Sequence, residues 1–321
     1  MDKSIEKELL KATQKAAIAS AKWLGYRDKN AADDAAVEAM RKHFNKVNIN
    51  GTVVIGEGER DKAPMLFIGE KVGTGKGPAV DIAVDPLECT NNVAKYWPNS
   101  IAVLAAAPAG SLLHAPDTYM NKIAVGPKAK GKIDLDKSTE ENLHSVAEAL
   151  GKPINELIVI VLERDRHKDL IEEIRRIGSR VKLITDGDIS AALYPSMKNA
   201  KADILLGIGA APEGVIACSA IKALGGEIQG RLEFRNKEEK ERARKMGMND
   251  PGKKLLMNDL VKGNESVFVA TGVSGGPLLE GVEFLGEKAN VNSMIINQNG
   301  MRKIEDTINL EEDLDEANTR K

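Results

Sequence analysis

Residues 80–90, VDIAVDPLECT, begin as an apolar run and end in a cluster of polar residues. The run predicts a buried strand that delivers its last residues to the edge of a sheet. Asp85 and Glu88 stand three positions apart around Pro86, so their carboxylates could converge on hard divalent cations. The hydroxyl of Thr90 would lie beside those cations. The alternative, which this segment alone leaves open, is an ordinary turn in which both acids accept hydrogen bonds from backbone amides.

Composition and charge exclude several classes of protein. The chain has 321 residues, 42% of them hydrophobic, and a formal net charge of −2, with acidic and basic residues spread along its length. This pattern gives no electrostatic footprint for nucleic acid or a membrane and favours a small-molecule partner. Residues 1–20 lack the continuous apolar core of a signal peptide, and two cysteines cannot form a disulfide framework. We therefore expect a soluble cytoplasmic protein with a substantial core.

A helix predicted at residues 31–47 carries two adjacent acids with different expected environments. Its apolar stripe, which includes Val37, continues backwards by four residues onto Asp33, so that Asp33 points inwards. Asp34 falls on the polar side of the same helix. Asp33 is therefore either a metal ligand or an acid of the first turn that favours the helix dipole.

The run GEGERD, at 56–61, places Glu57, Glu59 and Asp61 in a glycine-flanked loop after a short strand. Glycines allow the backbone and the carboxylates to crowd around a ligand. Carboxylates here and after the next strand would repel one another strongly without compensating cations. The pattern therefore favours metal binding over a solvated acidic loop.

From residue 157 onward, apolar strands alternate with helices, which is typical of βα units on a largely parallel sheet. Strands at 157–162, 181–185 and 203–208 each end in polar residues: Arg164, Arg166 and His167, then Asp186 and Asp188, then Glu213. Because open α/β sheets bind ligands at the carboxyl ends of their strands, the arginines could clamp a phosphate and the aspartates could accept from sugar hydroxyls. The alternative is a surface ion-pair cluster with a helix cap. The charge run at 237–245, KEEKERARK, predicts only a solvated helix face.

Taken together, these motifs resemble the class II fructose-1,6-bisphosphatases, within the lithium-sensitive sugar-phosphatase superfamily. The resemblance spans nearly the whole chain. The segments that carry it are Asp33, GEGE at 56–59, DPLECT at 85–90, Tyr119 in APDTYM, RDRH at 164–167, DGD at 186–188 and APEGV at 211–215. The DP-x-E-x-T element alone is shared with the inositol monophosphatases, whereas the other motifs in this order are much more specific.

The resemblance implies an α/β fold, a layered α-β-α-β-α sandwich of the sugar-phosphatase type. The lobe at 1–150 would bind metal and contain a mixed sheet, and the lobe at 151–321 would bind the sugar phosphate with a largely parallel sheet. The implied activity is hydrolysis of the 1-phosphate of fructose 1,6-bisphosphate in gluconeogenesis, with Mn²⁺ or Mg²⁺ and a cation-activated water. A homo-oligomer is also implied. Sedoheptulose 1,7-bisphosphate is an alternative or additional substrate, because the longer sugar presents the same terminal phosphates.

Matched residue by residue, the resemblance also assigns the site. The implied metal ligands are Asp33, Glu57, Asp85, Glu88 and Glu213. The implied substrate-binding residues are Glu88, Cys89, Thr90, Tyr119, Arg164, Asp165, Arg166, Asp186, Gly187, Asp188 and Ala210, with Lys29 as a weaker candidate. Thr90 and a nearby acid, Asp61 or Glu59, would orient the attacking water. Without the resemblance, Tyr119 is better explained as a core aromatic whose hydroxyl is satisfied.

Two residues depart from the family pattern. Cys89 stands where the family usually has glycine, which can adopt positive φ and lets the backbone amide approach a phosphate. Strain there could cost about 1 to 3 kcal/mol, on the order of tenfold to a hundredfold in rate. A further interpretation is therefore a phosphosugar-binding protein that Cys89 has weakened as a catalyst. Ala210, where glycine is common, is the milder change.

Overall fold

The computed structural model describes residues 1–58, 64–199, 201–248 and 250–310. Its helices are α1 (Lys3–Ala21), α2 (Lys29–Phe44), α3 (Thr90–Lys95), α4 (Thr139–Leu150), α5 (Lys168–Ile177), α6 (Asp188–Leu193), α7 (Ala211–Ala223), α8 (Lys237–Lys245) and α9 (Met257–Leu260). Its strands are β1 (Asn50–Ile55), β2 (Lys71–Val72), β3 (Ala79–Glu88), β4 (Ile101–Pro108), β5 (Tyr119–Val125), β6 (Ile158–Leu162), β7 (Arg180–Ile184), β8 (Ile204–Ala210), β9 (Glu227–Glu233), β10 (Val267–Gly272), β11 (Glu283–Leu285), β12 (Lys288–Asn297) and β13 (Gly300–Asn309).

The second helix forms where the apolar periodicity predicts it. It starts slightly earlier than residue 31, because Asp28 caps it by accepting a hydrogen bond from the Ala31 amide at 2.9 Å. Asp33 is half-buried and Asp34 is exposed, so the predicted difference between the two acids is confirmed. No helix in the described ranges is long and apolar enough to cross a membrane.

The first sheet is mixed, as predicted. Within the described residues it contains eight strands in the order β11-β12-β10-β4-β3-β1-β2, with β13 also paired to β12. β1 and β3 run parallel, whereas β3 and β4, β4 and β10, and β10 and β12 are antiparallel neighbours. Because β1 and β3 are parallel, the residues that follow β1 lie at the same edge of the sheet as the last residues of β3.

The second sheet is also mixed, so the prediction of a largely parallel sheet is only half right. The strand order is β7-β6-β8-β5-β9. β6 is parallel to both β7 and β8, but β5 is antiparallel to both β8 and β9. Inserting one antiparallel strand leaves β9 parallel to β8. The carboxyl ends of β6, β7, β8 and β9 and the start of β5 therefore lie at one edge.

The helices and sheets form five layers, which confirms the α-β-α-β-α arrangement. α1 and α2 cover the outer face of the first sheet, where their apolar residues join those of β3 and β4 in one cluster. α6 and α7 lie between the sheets, and α7 contacts strands of both. α4 and α5 cover the outer face of the second sheet. The central helices are therefore the layer through which the two sheets contact each other.

The expected division at residue 150 does not separate the two sheets. β5 precedes that residue but belongs to the second sheet, and the strands from β10 to β13 follow it but belong to the first. The last strands join the first sheet through β10, which pairs antiparallel with β4 and places Val269 opposite Leu104. Each sheet is thus assembled from distant parts of the chain.

Candidate active site

Two parallel strands bring two predicted metal ligands to the same edge of the first sheet. The register pairs Ile55 of β1 with Ala83 of β3. Glu57 and Asp85 each lie two residues beyond this pair, Glu57 after the end of β1 and Asp85 still within β3. Asp85 therefore lies just past the last residue pair of β1 and β3.

A bulge in β3 then places Glu88 between the two sheets. The strand does not end at Asp85, as the sequence indicated, because β3 continues to Glu88 and its pairing with β4 shifts after Asp85. Proline fits at such a bulge, where the regular ladder is interrupted. Glu88 is 3% exposed, and its Oε1 accepts a hydrogen bond from the Ile189 amide at 2.7 Å. This bond joins the DPLECT segment directly to the first turn of α6.

Asp33, in the second turn of α2, adds a third acid to Glu57 and Asp85, so the alternative of an acid in the first turn is wrong. Burial, followed by the charges of Asp33 and Asp85, raises the pKa of Glu57 to about 8. Burial and the charge of Asp33 raise the pKa of Asp85 to about 7. Burial and the charge of Asp34 raise the pKa of Asp33 to about 6, and Lys29, one turn earlier in the helix, opposes that shift. Asp33, Glu57 and Asp85 therefore lie within electrostatic reach of one another.

Glu213 reaches the same acids from the second half of the chain. It lies in the first turn of α7, and burial together with the charge of Asp188 raises its pKa well above the ordinary value. Burial and the charge of Glu213 likewise raise the pKa of Glu88. Glu57, Asp85 and Glu213 line one cavity of about 230 Å³. The predicted metal ligands, from α2, the end of β1, β3 and α7, thus lie within electrostatic reach of one another.

The chemistry of these side chains fits hard divalent cations. All five are carboxylates, whose oxygens are the ligands that Mg²⁺ and Mn²⁺ prefer. The Glu88 Oε2 is buried and has no hydrogen-bond partner among the described residues. In the ranges that the structure describes, no three His, Cys, Asp or Glu side chains converge closely enough to hold an ion by themselves. Glu59 and Asp61, the predicted catalytic acids, lie outside the described residues.

Cys89 has the left-handed backbone conformation that favours glycine. Its φ is 69° and its ψ is 49°, immediately before Thr90 begins α3. For a residue with a side chain this conformation costs roughly 1 to 2 kcal/mol. The thiol is buried, and burial raises its pKa, so that the protonated thiol and not the reactive thiolate is favoured. A Cβ placed at Gly187 would lie 3.4 Å from the Cys89 Sγ, so the thiol packs beside the DGD segment.

Substitutions at Cys89 are expected to show whether its backbone strain lowers the activity. Cys89→Gly should release phosphate at least as fast as the parent, because glycine adopts this backbone without strain. Cys89→Val should be less stable than the glycine variant by about 1 to 2 kcal/mol and less active, because β-branched side chains are poorly tolerated at positive φ. Thermal unfolding and kcat measure both effects. Activity that appears only in Cys89→Gly, with unchanged ligand affinity, would favour the weakened-binding-protein interpretation.

The edge of the second sheet carries Tyr119 and two arginines. Tyr119, the first residue of β5, pairs with Ala210 of β8 and with Glu233 of β9. The guanidinium carbon of Arg166 lies 4.6 Å from the centre of the Tyr119 ring, and that of Arg235 lies 5.2 Å from it. Tyr119 is half-buried at this edge and is not a core aromatic.

The residues that follow β6 and β7 divide between the site and the solvent. Arg166 donates from Nε and Nη2 to one backbone carbonyl of β8, at 3.1 and 2.7 Å. Burial raises the pKa of Asp186, and the guanidinium of Arg164 opposes that shift, so these two side chains are neighbours. The side chain of Asp165 is 94% exposed and pairs with Lys168 at 2.9 Å. The Asp165 carboxylate therefore points to solvent and does not lie with Arg166 and Tyr119 at the site.

His167 fixes the loop that contains Arg164 and Arg166 through two hydrogen bonds. Its Nε2 lies 2.8 Å from the Ile208 amide, and its Nδ1 lies 2.7 Å from the Leu162 carbonyl. Because an amide only donates, Nε2 is the acceptor and Nδ1 carries the proton. Burial lowers the pKa of His167, in agreement with a neutral ring. Gly207 has a φ of 129°, and a Cβ there would lie 3.0 Å from Nε2, so glycine permits this contact.

A buried lysine that the sequence did not indicate lies at the centre of the site. Lys122, in β5, is 2% exposed and forms a salt bridge with Asp188, the first residue of α6. Its Nζ donates to the Ala210 carbonyl at 2.9 Å and lies 4.0 Å from Glu213. Ala210 has a φ of −73°, so alanine adds no backbone strain there. The signal for Lys122 was a single charge on a strand face that is otherwise apolar.

The chain is similar to known proteins over most of its length. The family model for bacterial fructose-1,6-bisphosphatase, glpX-encoded, matches residues 3–308. The D-fructose 1,6-bisphosphatase class 2/sedoheptulose 1,7-bisphosphatase of Synechococcus sp. (strain RCC307) is 47% identical over 310 residues, which cover 92% of this chain and 93% of that protein. The fructose-1,6-bisphosphatase 1 class 2 of Escherichia coli (strain K12) is 47% identical over 309 residues, 92% of each chain. A solved inositol monophosphatase from Anabaena (Nostoc) sp. PCC 7120 is 15% identical, with a TM-score of 0.30, and the match covers 58% of this chain and 68% of that one.

Proposed function

The chain belongs to the family of class 2 fructose-1,6-bisphosphatases, and from this membership we propose that it hydrolyses the 1-phosphate of fructose 1,6-bisphosphate where its two sheets meet. The observation that carries this location is the hydrogen bond between Glu88 and the Ile189 amide, at 2.7 Å. It joins the carboxylates of the first sheet to the helix that follows the DGD segment. A substrate with two phosphates can therefore place one phosphate at the carboxylates and the other at the arginines.

We assign the cations of the reaction to the carboxylates on the first-sheet side. The proposed ligands are Asp33, Glu57, Asp85, Glu88 and Glu213. Divalent cations bound there would polarise the phosphoryl oxygens and lower the pKa of a bound water. The acids come from α2, the end of β1, β3 and α7, and bound cations would relieve the mutual repulsion that raises their pKa values. The choice between Mn²⁺ and Mg²⁺ stays a prediction.

The attacking water needs an acceptor for its proton. The hydroxyl of Thr90, at the start of α3 and two residues after Glu88, is the proposed group that orients this water. Asp61 or Glu59 is the proposed base, as the family resemblance implies. The chain then requires no covalent intermediate, because water attacks phosphorus in line and the sugar oxygen leaves.

The sugar and its distal phosphate are assigned to the second-sheet edge. Arg164 and Arg166 can hold the phosphate with charge-assisted hydrogen bonds, and Tyr119 supports the Arg166 guanidinium. Asp186 and Asp188 can accept hydrogen bonds from sugar hydroxyls. The backbone at Cys89, Gly187 and Ala210 would line the path between the two phosphates.

Three further expectations remain proposals. Sedoheptulose 1,7-bisphosphate is a second candidate substrate, which the name of the Synechococcus relative favours. A homo-oligomeric state and a cytoplasmic location are the others. Each follows from the family resemblance or the sequence pattern and is open to direct measurement by steady-state kinetics, light scattering and cell fractionation.

Phosphate release is expected from fructose 1,6-bisphosphate with Mn²⁺ or Mg²⁺ and is expected to stop after chelation. Fructose 6-phosphate, which lacks the labile 1-phosphate, should release none and serves as the substrate control. Adding sedoheptulose 1,7-bisphosphate in a parallel assay compares the two sugars. Undiminished release in excess chelator would refute the metal assignment, and calorimetric binding of the sugar without any release would favour a binding protein.

A further inference from the structure

Arg235 follows a fourth strand that ends at the arginine-bearing edge of the second sheet. β9 is parallel to β8, because both strands are antiparallel to β5. Its last residue, Glu233, lies opposite Tyr119, and Arg235 comes two residues later. The sequence indicated three strand ends at this edge, and the topology adds this fourth one.

The Arg235 side chain pairs with a buried carboxylate and is nevertheless about half exposed to solvent. Glu239, in α8, is 2% exposed and pairs with the Arg235 Nε. The Glu239 Oε2 also accepts the Arg235 amide and the Thr118 hydroxyl, each at 2.8 Å. The Arg235 side chain stays 48% exposed, and its Nη1 has no hydrogen-bond partner among the described residues. A buried carboxylate thus orients the guanidinium without consuming all of its donors.

Tyr119 brings Arg235 and Arg166 together. Their guanidinium carbons lie 5.2 and 4.6 Å from the centre of the same ring. In the described part of the chain, Arg166 donates to a β8 carbonyl and pairs with no carboxylate. The Arg166 charge is therefore available to a bound dianion without the loss of a carboxylate partner.

We propose that Arg235 binds the distal phosphate of the sugar bisphosphate together with Arg164 and Arg166, and that it sets the preference for bisphosphates over monophosphates. This inference rests on the proposed function, because it takes the cleaved phosphate to lie at the carboxylates. Planar guanidinium groups match phosphate oxygens in paired hydrogen bonds, which a flexible ammonium does not reproduce. A purely structural arginine would need only the Glu239 pair, and its removal would not distinguish one phosphate of the substrate from the other.

Arg235→Gln is expected to raise the KM for fructose 1,6-bisphosphate roughly tenfold, with a smaller change in kcat, because one charge-assisted contact to the distal phosphate is lost. The inhibition constant of fructose 6-phosphate, which keeps that phosphate, should rise by a similar factor. The inhibition constant of inorganic phosphate, which competes at the carboxylates, should not change. These three constants together report which phosphate Arg235 contacts.

Arg231→Gln is the matched control. Arg231 lies in β9, the strand that Arg235 follows, and pairs with Asp136, but it is opposite Asn121 within the sheet and not at its edge. Its substitution should leave all three constants unchanged. Arg235→Lys keeps a charge for Glu239 without the planar fork and should fall between the parent and Arg235→Gln, so it decides the question if the glutamine variant fails to fold.

Two results would overturn the inference. One is an unchanged fructose 6-phosphate constant in the folded Arg235 variants, and the other is an equal rise in the constants for fructose 6-phosphate and inorganic phosphate. The parent protein is assayed first on fructose 1,6-bisphosphate. If the parent releases no phosphate, the proposed function fails, whereas a working parent with unaffected Arg235 variants refutes this inference alone.

Discussion

Asp85→Asn is expected to lower kcat on fructose 1,6-bisphosphate by roughly a hundredfold or more while stabilising the metal-free protein. Activity falls because the substitution removes a charged oxygen ligand from the carboxylate cluster. The asparagine oxygen can still accept the Leu87 backbone hydrogen bond that Asp85 accepts. Stability rises because one buried charge near Asp33 and Glu57 is gone. Opposite signs of the two changes distinguish a functional acid from a structural one.

The stability gain should depend on pH in a defined direction. Burial and the charge of Asp33 raise the pKa of Asp85 to about 7 in the folded protein, whereas an unfolded aspartate titrates near about 3.9. Between these values the folded state keeps a proton that the unfolded state has lost, so the metal-free parent loses stability as the pH rises through this window. Asp85→Asn has no such proton. Its advantage over the parent should grow between about pH 4 and pH 7, to the order of a few kcal/mol.

Asp81→Asn provides the matched control for Asp85→Asn. Asp81 lies in the same strand and is 4% exposed, but its carboxylate accepts the Leu112 amide at 3.1 Å, away from the acidic cluster. This variant should keep its activity and should not become more stable as the pH rises. Chemical denaturation in chelator across this pH range, with kcat measured in parallel, makes the comparison. Full activity in Asp85→Asn would remove Asp85 from the proposed ligands.

Local sequence patterns predicted those parts of the site that neighbouring residues determine. The helical period separated Asp33 from Asp34, because three or four residues fix which side of a helix faces the core. The ends of apolar strands located Arg164, Arg166 and the DGD segment, since a strand that is buried on both faces must place its polar residues at its ends. The positive φ at Cys89 was instead implied by the family resemblance, in which glycine is usual at this position. These features require no knowledge of which strands are neighbours.

The remaining features depend on pairing between distant segments. Lys122 looked like an isolated charge until β5 was placed between β8 and β9, where its Nζ reaches Asp188. Arg235 joined the site for the same reason. Glu239, in the run predicted to be a solvated helix face, is 2% exposed because it pairs with Arg235. Single-sequence periodicity carries no information on strand order, so these three residues could not be assigned.

Lys122→Met is expected to lower the free energy of unfolding by about 3 to 5 kcal/mol and to impair phosphate release. Methionine has a similar length and no charge, so the change leaves Asp188, which is 6% exposed, without its cation. It also removes the hydrogen bond from Nζ to the Ala210 carbonyl. The positive charge of Lys122, which opposes the rise in the pKa of Glu213, is lost as well. Activity and stability should therefore fall together, unlike the opposite changes expected for Asp85→Asn.

Lys168→Met separates a buried pair from an exposed one. Lys168 pairs with Asp165 at 2.9 Å near the same edge, but the two side chains are 72% and 94% exposed. Water screens such a pair, so its loss should produce no measurable destabilisation. An equal loss of stability in Lys168→Met and Lys122→Met would show that burial does not determine the cost.

The double substitution Lys122→Met with Asp188→Asn tests why the single one is destabilising. If the cost comes from an unpaired buried carboxylate, removing that charge should recover more than half of the lost stability, although phosphate release should remain impaired. If it comes from poor packing of methionine in β5, the double variant should be no more stable than Lys122→Met. The first outcome would mean that this site keeps a buried ion pair for its geometry, since an uncharged pair of similar volume holds the same fold without it.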